Sequence, residues 1–201
     1  WITIDLRIPA KAALVERIAR IEAGEAPAPI ARAADVVMLD RSDGATHEVA
    51  VDLDAGQVIS WNRRSDVQPL ATVEELSEAE TLVKNDPGFQ AALAKRGVTD
   101  FEAVQIDAWP AGNFGIEAER GRLARCVAFI KPGPDSSEWA HPVDGLIALV
   151  DLIALEILRI DDHGVVPIPE ESGDFDPETA AAVMGALRTD IKPYEISQPD
   201  G

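Results

Sequence analysis

Two Asp-Gly breaks constrain this chain more than any other feature. Ser42-Asp43-Gly44 and Asp54-Ala55-Gly56 place Asp and Gly where a backbone enters left-handed turn geometry. Ala34–Asp40, Glu48–Leu53 and Gln57–Asn62, on either side of these breaks, read as strands. Strands joined by such short breaks run antiparallel, so residues 34–63 are predicted to form a meander. Upstream, Ile2, Ile4, Leu6 and Ile8 alternate with Thr3, Asp5 and Arg7, which predicts a half-buried strand ended by Pro9. Leu14, Val15, Ile18 and Ile21 then recur at helical spacing within Ala10–Glu22, and 24–29 is a Pro/Ala loop.

Residues 65–71 form a polar linker containing Pro69. Thr72 and Glu75 make a capping-box signature for a helix running to about Lys84. Asp86-Pro87 restarts the helix and Gly97 stops it. Four strands are predicted next, at Ala103–Ala108, Arg122–Lys131, Leu146–Leu152 and Leu155–Asp161. Asp161-Asp162-His163-Gly164 reads as a turn, and Val165–Pro169 as extended. A polar loop follows, with a helical turn expected near 178–187 and an extended end at 191–199. Four antiparallel strands with one apolar face need cover, and the preceding helix supplies it. The fold class expected is α+β. Two small domains, 1–65 and 66–201, each have an antiparallel four-stranded sheet packed by a helix, the first truncated at its N-terminus.

The charge balance narrows the function. Asp and Glu number 36 against 18 Lys and Arg, for a formal net charge of −18 over 201 residues. Such a surface repels a phosphate backbone and an anionic membrane, so neither nucleic acid nor membrane is an expected partner. It suits a cationic ligand such as an amine, or simply keeps the protein soluble. The longest apolar run, around Leu146–Ile160, carries Asp151, Glu156 and Arg159 and is too short and too charged to span a bilayer. The chain starts at Trp1 with its apolar pattern already running, as a fragment would. No signal peptide is visible, and the compartment expected is the cytoplasm.

Catalytic chemistry finds little footing. Cys126 is the single cysteine, and Leu123, Val127 and Phe129 around it predict a structural thiol. His47, His141 and His163 include no pair at metal-ligand spacing. His47 is expected to face solvent, His163 to serve its turn, and His141 to be a hydrogen-bonded structural residue ahead of Pro142. Asp161-Asp162, Glu170-Glu171 and Asp174 lack the spacing of a calcium loop. Ser136-Ser137 lack a nucleophile motif, and Gly112, Gly115, Gly121 and Gly133 do not form a phosphate loop. Trp109 and Trp139 are predicted to lie in loops, either as partner or ligand contacts or tucked back onto their own domain.

The segment Trp139–Leu146, WAHPVDGL, resembles the Tyr/Trp-Ala-His-Pro-x-Glu/Asp-Gly-Leu motif of the copper amine oxidases. Val150-Asp151-Leu152, the run from Ile160 to Pro169, and Lys192 to Gly201 also resemble that family. So do Val83-Lys84-Asn85-Asp86-Pro87 and Ala111-Gly112-Asn113-Phe114-Gly115. The likeness is strong over 66–201, fair over 30–65 and weak over 1–29. It implies the two small cystatin-like domains, N2 and N3, that precede the catalytic β-sandwich in that family. It also implies copper and topaquinone in the parent enzyme, which oxidises primary amines as a homodimer. Neither cofactor is expected in this chain. The family makes its quinone from a tyrosine after asparagine, whereas Tyr194 follows Pro193, and no His-x-His pair exists. The third domain helps wall the channel to the quinone, and by position Trp139, Trp109 and Leu76 correspond to wall residues. The partners implied are the catalytic domain of the same chain, a second subunit and a primary amine. The alternative is an independent interaction module that uses the loop tryptophans.

Overall fold

The computed structural model describes residues 2–27, 29–112, 121–131, 133, 136–137, 139–170, 181–182, 184–185 and 188–190. The first sheet is built from β1 (Thr3–Leu6), β2 (Ala33–Asp40), β3 (Ala45–Asp52) and β4 (Gln57–Arg64), in that order and antiparallel throughout. The helix α1 (Lys11–Glu22) connects β1 to β2. Next come α2 (Val73–Lys84) and α3 (Pro87–Ala94). The second antiparallel sheet follows, ordered β5 (Val104–Pro110), β6 (Leu123–Ile130), β7 (Pro142–Asp151) and β8 (Glu156–Asp162).

The Asp-Gly breaks form as predicted. Asp40 Oδ1 accepts from Ser42 N at 2.9 Å, and Asp52 Oδ1 from Asp54 N at 2.9 Å and Ala55 N at 2.8 Å. Gly44 and Gly56 carry the positive φ, 71° and 65°. The turn from β7 to β8 repeats the second of these. Asp151 Oδ1 takes Ile153 N at 2.7 Å and Ala154 N at 2.9 Å, and Leu155 stands at φ 54° where the other hairpin has Gly56. Both hairpins carry a bulge just before the aspartate, at Ala50/Val51 and at Leu149/Val150. Leu53 N and Leu152 N each donate 2.9 Å to the carbonyl of an arginine ahead of a strand, Arg32 and Arg122. The two sheets thus share one hairpin device.

The helices treat the two sheets differently. On the second, α2 and α3 bury Ala79, Val83, Phe89 and Leu93 against Val104, Ile106, Cys126, Ala128, Leu146, Ala148 and Val150. Ala124, Cys126 and Ala128 give β6 a low surface on which the helices sit close. Thr72 and Glu75 complete a reciprocal capping box on α2, and Asp86 Oδ1 caps α3 through Phe89 N at 2.7 Å. On the first sheet the helix lies within the strand order, after β1, and α1 contains no buried residue. The sheet's apolar face therefore lacks full cover. Ile4, Val36, Val49 and Trp61 line up across it, with Val49 buried in the middle and Ile4 and Trp61 exposed at its edges. Hence β1, expected to be half-buried, is exposed along its length, with Leu6 67% exposed.

The segment 65–71 is tied down on both sides. Thr46 Oγ1 donates to Val67 O at 2.9 Å. Arg122 gives Nη1 to Pro69 O and Nη2 to Leu70 O, both at 2.8 Å. The same guanidinium forks onto Glu75, with Nε to Oε1 at 2.7 Å and Nη2 to Oε2 at 2.6 Å. Both side chains are buried, and Arg41 of the first hairpin adds a charge 3.5 Å from Glu75 while donating to Leu152 O at 3.1 Å. Burial alone would raise Glu75. The Arg122 hydrogen bonds, the Thr72 backbone and the two guanidinium charges outweigh it and hold the carboxyl below its ordinary range.

The last predicted strand ends at Asp161, and the observed β8 runs one residue further, to Asp162, because Leu146 extends the pairing to it. Asp162 Oδ1 accepts Arg96 Nη2 at 2.7 Å, and that same nitrogen reaches Gly145 O and Gly164 O. Gly145 stands at φ 73°, where an added Cβ would come 3.1 Å from Gly164 O, so a side chain there would be strained in its backbone and crowded by the segment after β8. Most of the helical turn expected near 178–187 lies outside the described residues, as do Asn113–Gly115, Glu171, Asp174 and Lys192–Gly201 with Tyr194.

Candidate functional site

The outer face of the second sheet, opposite α2 and α3, holds the feature that stands apart from ordinary packing. Along β5, Val104, Ile106 and Ala108 enter the core, so Gln105, Asp107 and Trp109 project to the other side. Trp109, expected in a loop, is a strand residue paired with Arg125, and its side chain is 61% exposed. The strand reaches one residue past it to Pro110. This proline is tolerated because β5 is an edge strand that needs no donor there. Trp139 lies in the turn ahead of β7 and is 58% exposed.

Asp107 holds Trp139 to this face. Its Oδ2 accepts Trp139 Nε1 at 2.8 Å, and its Oδ1 accepts Gln105 Nε2 at 2.8 Å. The structure thus brings Trp139 over the face that carries Trp109. Leu76 does not share that face. It sits on α2, half-buried against the core on the other side of the sheet.

The backbone beneath Trp139 is anchored by its neighbour. His141 is buried, and its ring Nδ1–H donates to Pro169 O at 2.7 Å. Its carbonyl accepts Ile130 N at 2.9 Å, tying the turn to β6. The expected structural role of this histidine is the one observed. His47 lies within β3, half-buried, and its Nδ1 accepts Trp61 Nε1 at 2.9 Å. His163 is exposed beyond the end of β8.

Nothing else described has the geometry of a catalytic set. Cys126 is fully buried in β6, and desolvation, with the Glu80 charge, pushes its thiol up to about 12, so it is no nucleophile at neutral pH. Among the described residues no three His, Cys, Asp or Glu side chains gather where they could hold a metal. Neither Trp109 nor Trp139 lines either of two open clefts of about 330 Å³. One, between α2 and β5, is lined by Glu80, Lys84, Glu102 and Lys131, and the other runs beside α1. No described helix is long and apolar enough to cross a membrane.

Asp107 was not legible as part of a site. Its signal in the sequence is a carboxylate alternating with Gln105 and Trp109 along a strand whose other face is apolar. What that carboxylate meets is set by a turn over thirty residues away.

Comparisons with known proteins bear on the family and the fold. A family profile described as "Copper amine oxidase, N3 domain" matches residues 74–176. The chain is 37% identical over 202 residues to the primary amine oxidase of Arthrobacter sp. (strain P1), an alignment spanning 100% of this chain and 29% of that protein. It is 35% identical over 175 residues to the histamine oxidase of Arthrobacter globiformis, covering 85% of this chain and 25% of that one. Among solved structures it resembles a copper-containing benzylamine oxidase from Hansenula polymorpha. The TM-score is 0.70 at 18% identity, over 98% of this chain and 32% of the other. The chain therefore spans less than a third of the length of each of these proteins.

Proposed function

The chain belongs to the copper amine oxidase family, and on that premise we propose that it forms the non-catalytic N2-like (1–65) and N3-like (66–201) domains of a primary amine oxidase. The parent reaction converts a primary amine, dioxygen and water to an aldehyde, ammonia and hydrogen peroxide. Copper and topaquinone supply that chemistry in the parent. The described residues do not fit a copper site, since their carboxylates and imidazoles are dispersed and two of the imidazoles are engaged with Trp61 and Pro169. This chain's own contribution is scaffold and part of the wall of the substrate channel.

The observation that carries the wall assignment is the pair Trp109 and Trp139 on the outer face of the second sheet, both more than half exposed. Two indoles left bare on one face offer large apolar area to a covering domain or a passing amine. Leu76, on the helix side, would line a different part of the wall from the tryptophans. The catalytic domain of the same chain, in a homodimeric enzyme, is the partner we infer for the exposed apolar residues of β1, α1 and β4. The acidic surface, at −18, favours approach of a cationic amine.

Two measurements test this. The 201-residue chain alone, with copper added, should release no peroxide from any primary amine. Turnover by the pure chain would refute the non-catalytic role. In the full-length oxidase, Trp139→Ala should alter the ranking of bulky against small amines by fit, leaving the chemical step unchanged. An unchanged ranking across an amine panel would remove Trp139 from the wall.

A further inference from the structure

We propose that Asp107 is the positioning residue of Trp139, fixing the plane of its indole and, through it, which amines pass the wall. The selectivity half of this rests on the wall reading above. The positioning half stands on the geometry alone.

Trp139 has two anchors of different kinds. Its backbone is held two residues on by His141, through Pro169 O and Ile130 N. Its ring is 58% exposed in a turn, so packing covers it only in part. An indole offers one polar atom, the Nε1–H donor. That atom meets the Asp107 carboxylate at 2.8 Å, a charge-assisted bond stronger than a neutral one. Asp107 stands on β5, paired through its Cα with Val127 of β6, so the acceptor is carried by a rigid sheet.

The carboxylate is itself oriented. Gln105, two residues back on the same face, donates Nε2 to Oδ1 at 2.8 Å and leaves Oδ2 for Trp139. Gln105, Asp107 and Trp139 thus form a relay in which each carboxylate oxygen has its own donor. Without the acceptor, a half-exposed tryptophan is free to sample other staggered side-chain wells. The face it presents beside Trp109 would then no longer be single.

The test has two readouts. The chain has four tryptophans, and Trp139→Phe identifies which indole N–H resonance belongs to Trp139. Asp107→Ala should move that resonance and speed its exchange with solvent at least about tenfold. Asp107→Asn, which keeps one acceptor oxygen, should restore most of both. In the full-length oxidase, Asp107→Ala should shift the kcat/KM ratio of bulky to small amines in the same direction as Trp139→Ala. The shift should come through KM, with kcat on a small amine unchanged, and the double variant should match Trp139→Ala alone. An indole signal unmoved by Asp107→Ala overturns the positioning role. A moved signal with unchanged selectivity, while Trp139→Ala changes it, overturns the selectivity half. If Trp139→Ala itself leaves selectivity unchanged, the wall reading fails and the positioning role stands on the indole signal.

Discussion

Leu155 holds a left-handed backbone, φ 54°, at the place where the matching hairpin uses Gly56 at φ 65°. The flanking chemistry is the same in both turns, an aspartate gathering the next backbone N–H groups. A Cβ in this region crowds the following carbonyl, which glycine avoids. Leu155→Gly should therefore raise stability by up to about 1 kcal/mol, the relief of strain outweighing glycine's entropy cost. A lower melting temperature would show that the leucine's contacts matter more than its backbone. Trp139→Ala belongs to the same scale. The ring is more than half exposed, so its removal should cost about 1 kcal/mol or less. A loss of several kcal/mol, as for a buried tryptophan, would mean that the ring is covered in solution.

Between elements, the segment 65–71 is where the sequence and the structure part most instructively. Its polar, proline-containing composition reads as a linker between two domains, and says nothing of what holds it. In the structure three of its carbonyls are taken, by Thr46 and Arg122, and Arg122 is locked by the buried carboxylate of Glu75. Removing one partner of a buried ion pair strands the other charge. Arg122→Met should thus cost about 3–5 kcal/mol and expose 65–71 to proteases, while Glu75→Gln should cost less because an amide can still accept one bond. Limited proteolysis read against thermal melting checks this. Unchanged cleavage would show that the two sheets are held together elsewhere. The capping box of Thr72 and Glu75 was visible from spacing. That the same carboxylate also pins Arg122, 47 residues on, was not.

Across the molecule, acid stability gathers at the clamp that closes the second sheet. The hydrogen bond from Arg96, then that from Gly164 N, hold the Asp162 carboxyl at about 2. A carboxyl depressed in the folded state stabilises above its unfolded pKa, roughly 3.9, and loses that contribution as pH falls toward the folded value. Stability should therefore decline between about pH 4 and pH 2, and Asp162→Asn should flatten that decline. An equally steep decline in the variant would assign the acid sensitivity elsewhere, with Glu75 as the next candidate. Hydrogen bonds to Arg7, Ser42, Arg63, Arg64 and Arg188 also hold Asp35, Asp40, Asp43, Asp66 and Asp190 below the ordinary carboxylate range, but these pairs are more exposed than Asp162 and solvent and salt weaken them.

The sequence by itself determined the elements and their order. Turn chemistry at Asp43-Gly44 and Asp54-Ala55-Gly56, capping at Thr72 and Asp86, and the period of the apolar residues are local properties, settled within a few residues of chain. It also carried the family, because WAHPVDGL is a contiguous string. Tertiary structure alone decided burial and pairing. The exposure of β1 and α1 depends on whether another element lies over them, and no local pattern records that. Trp109 became a strand residue because β6 offered it a partner, and Asp107 became a positioning group because a distant turn laid an indole against it. Both depend on how the backbone closes through space, and that closure is a property of the packed sheet as a whole.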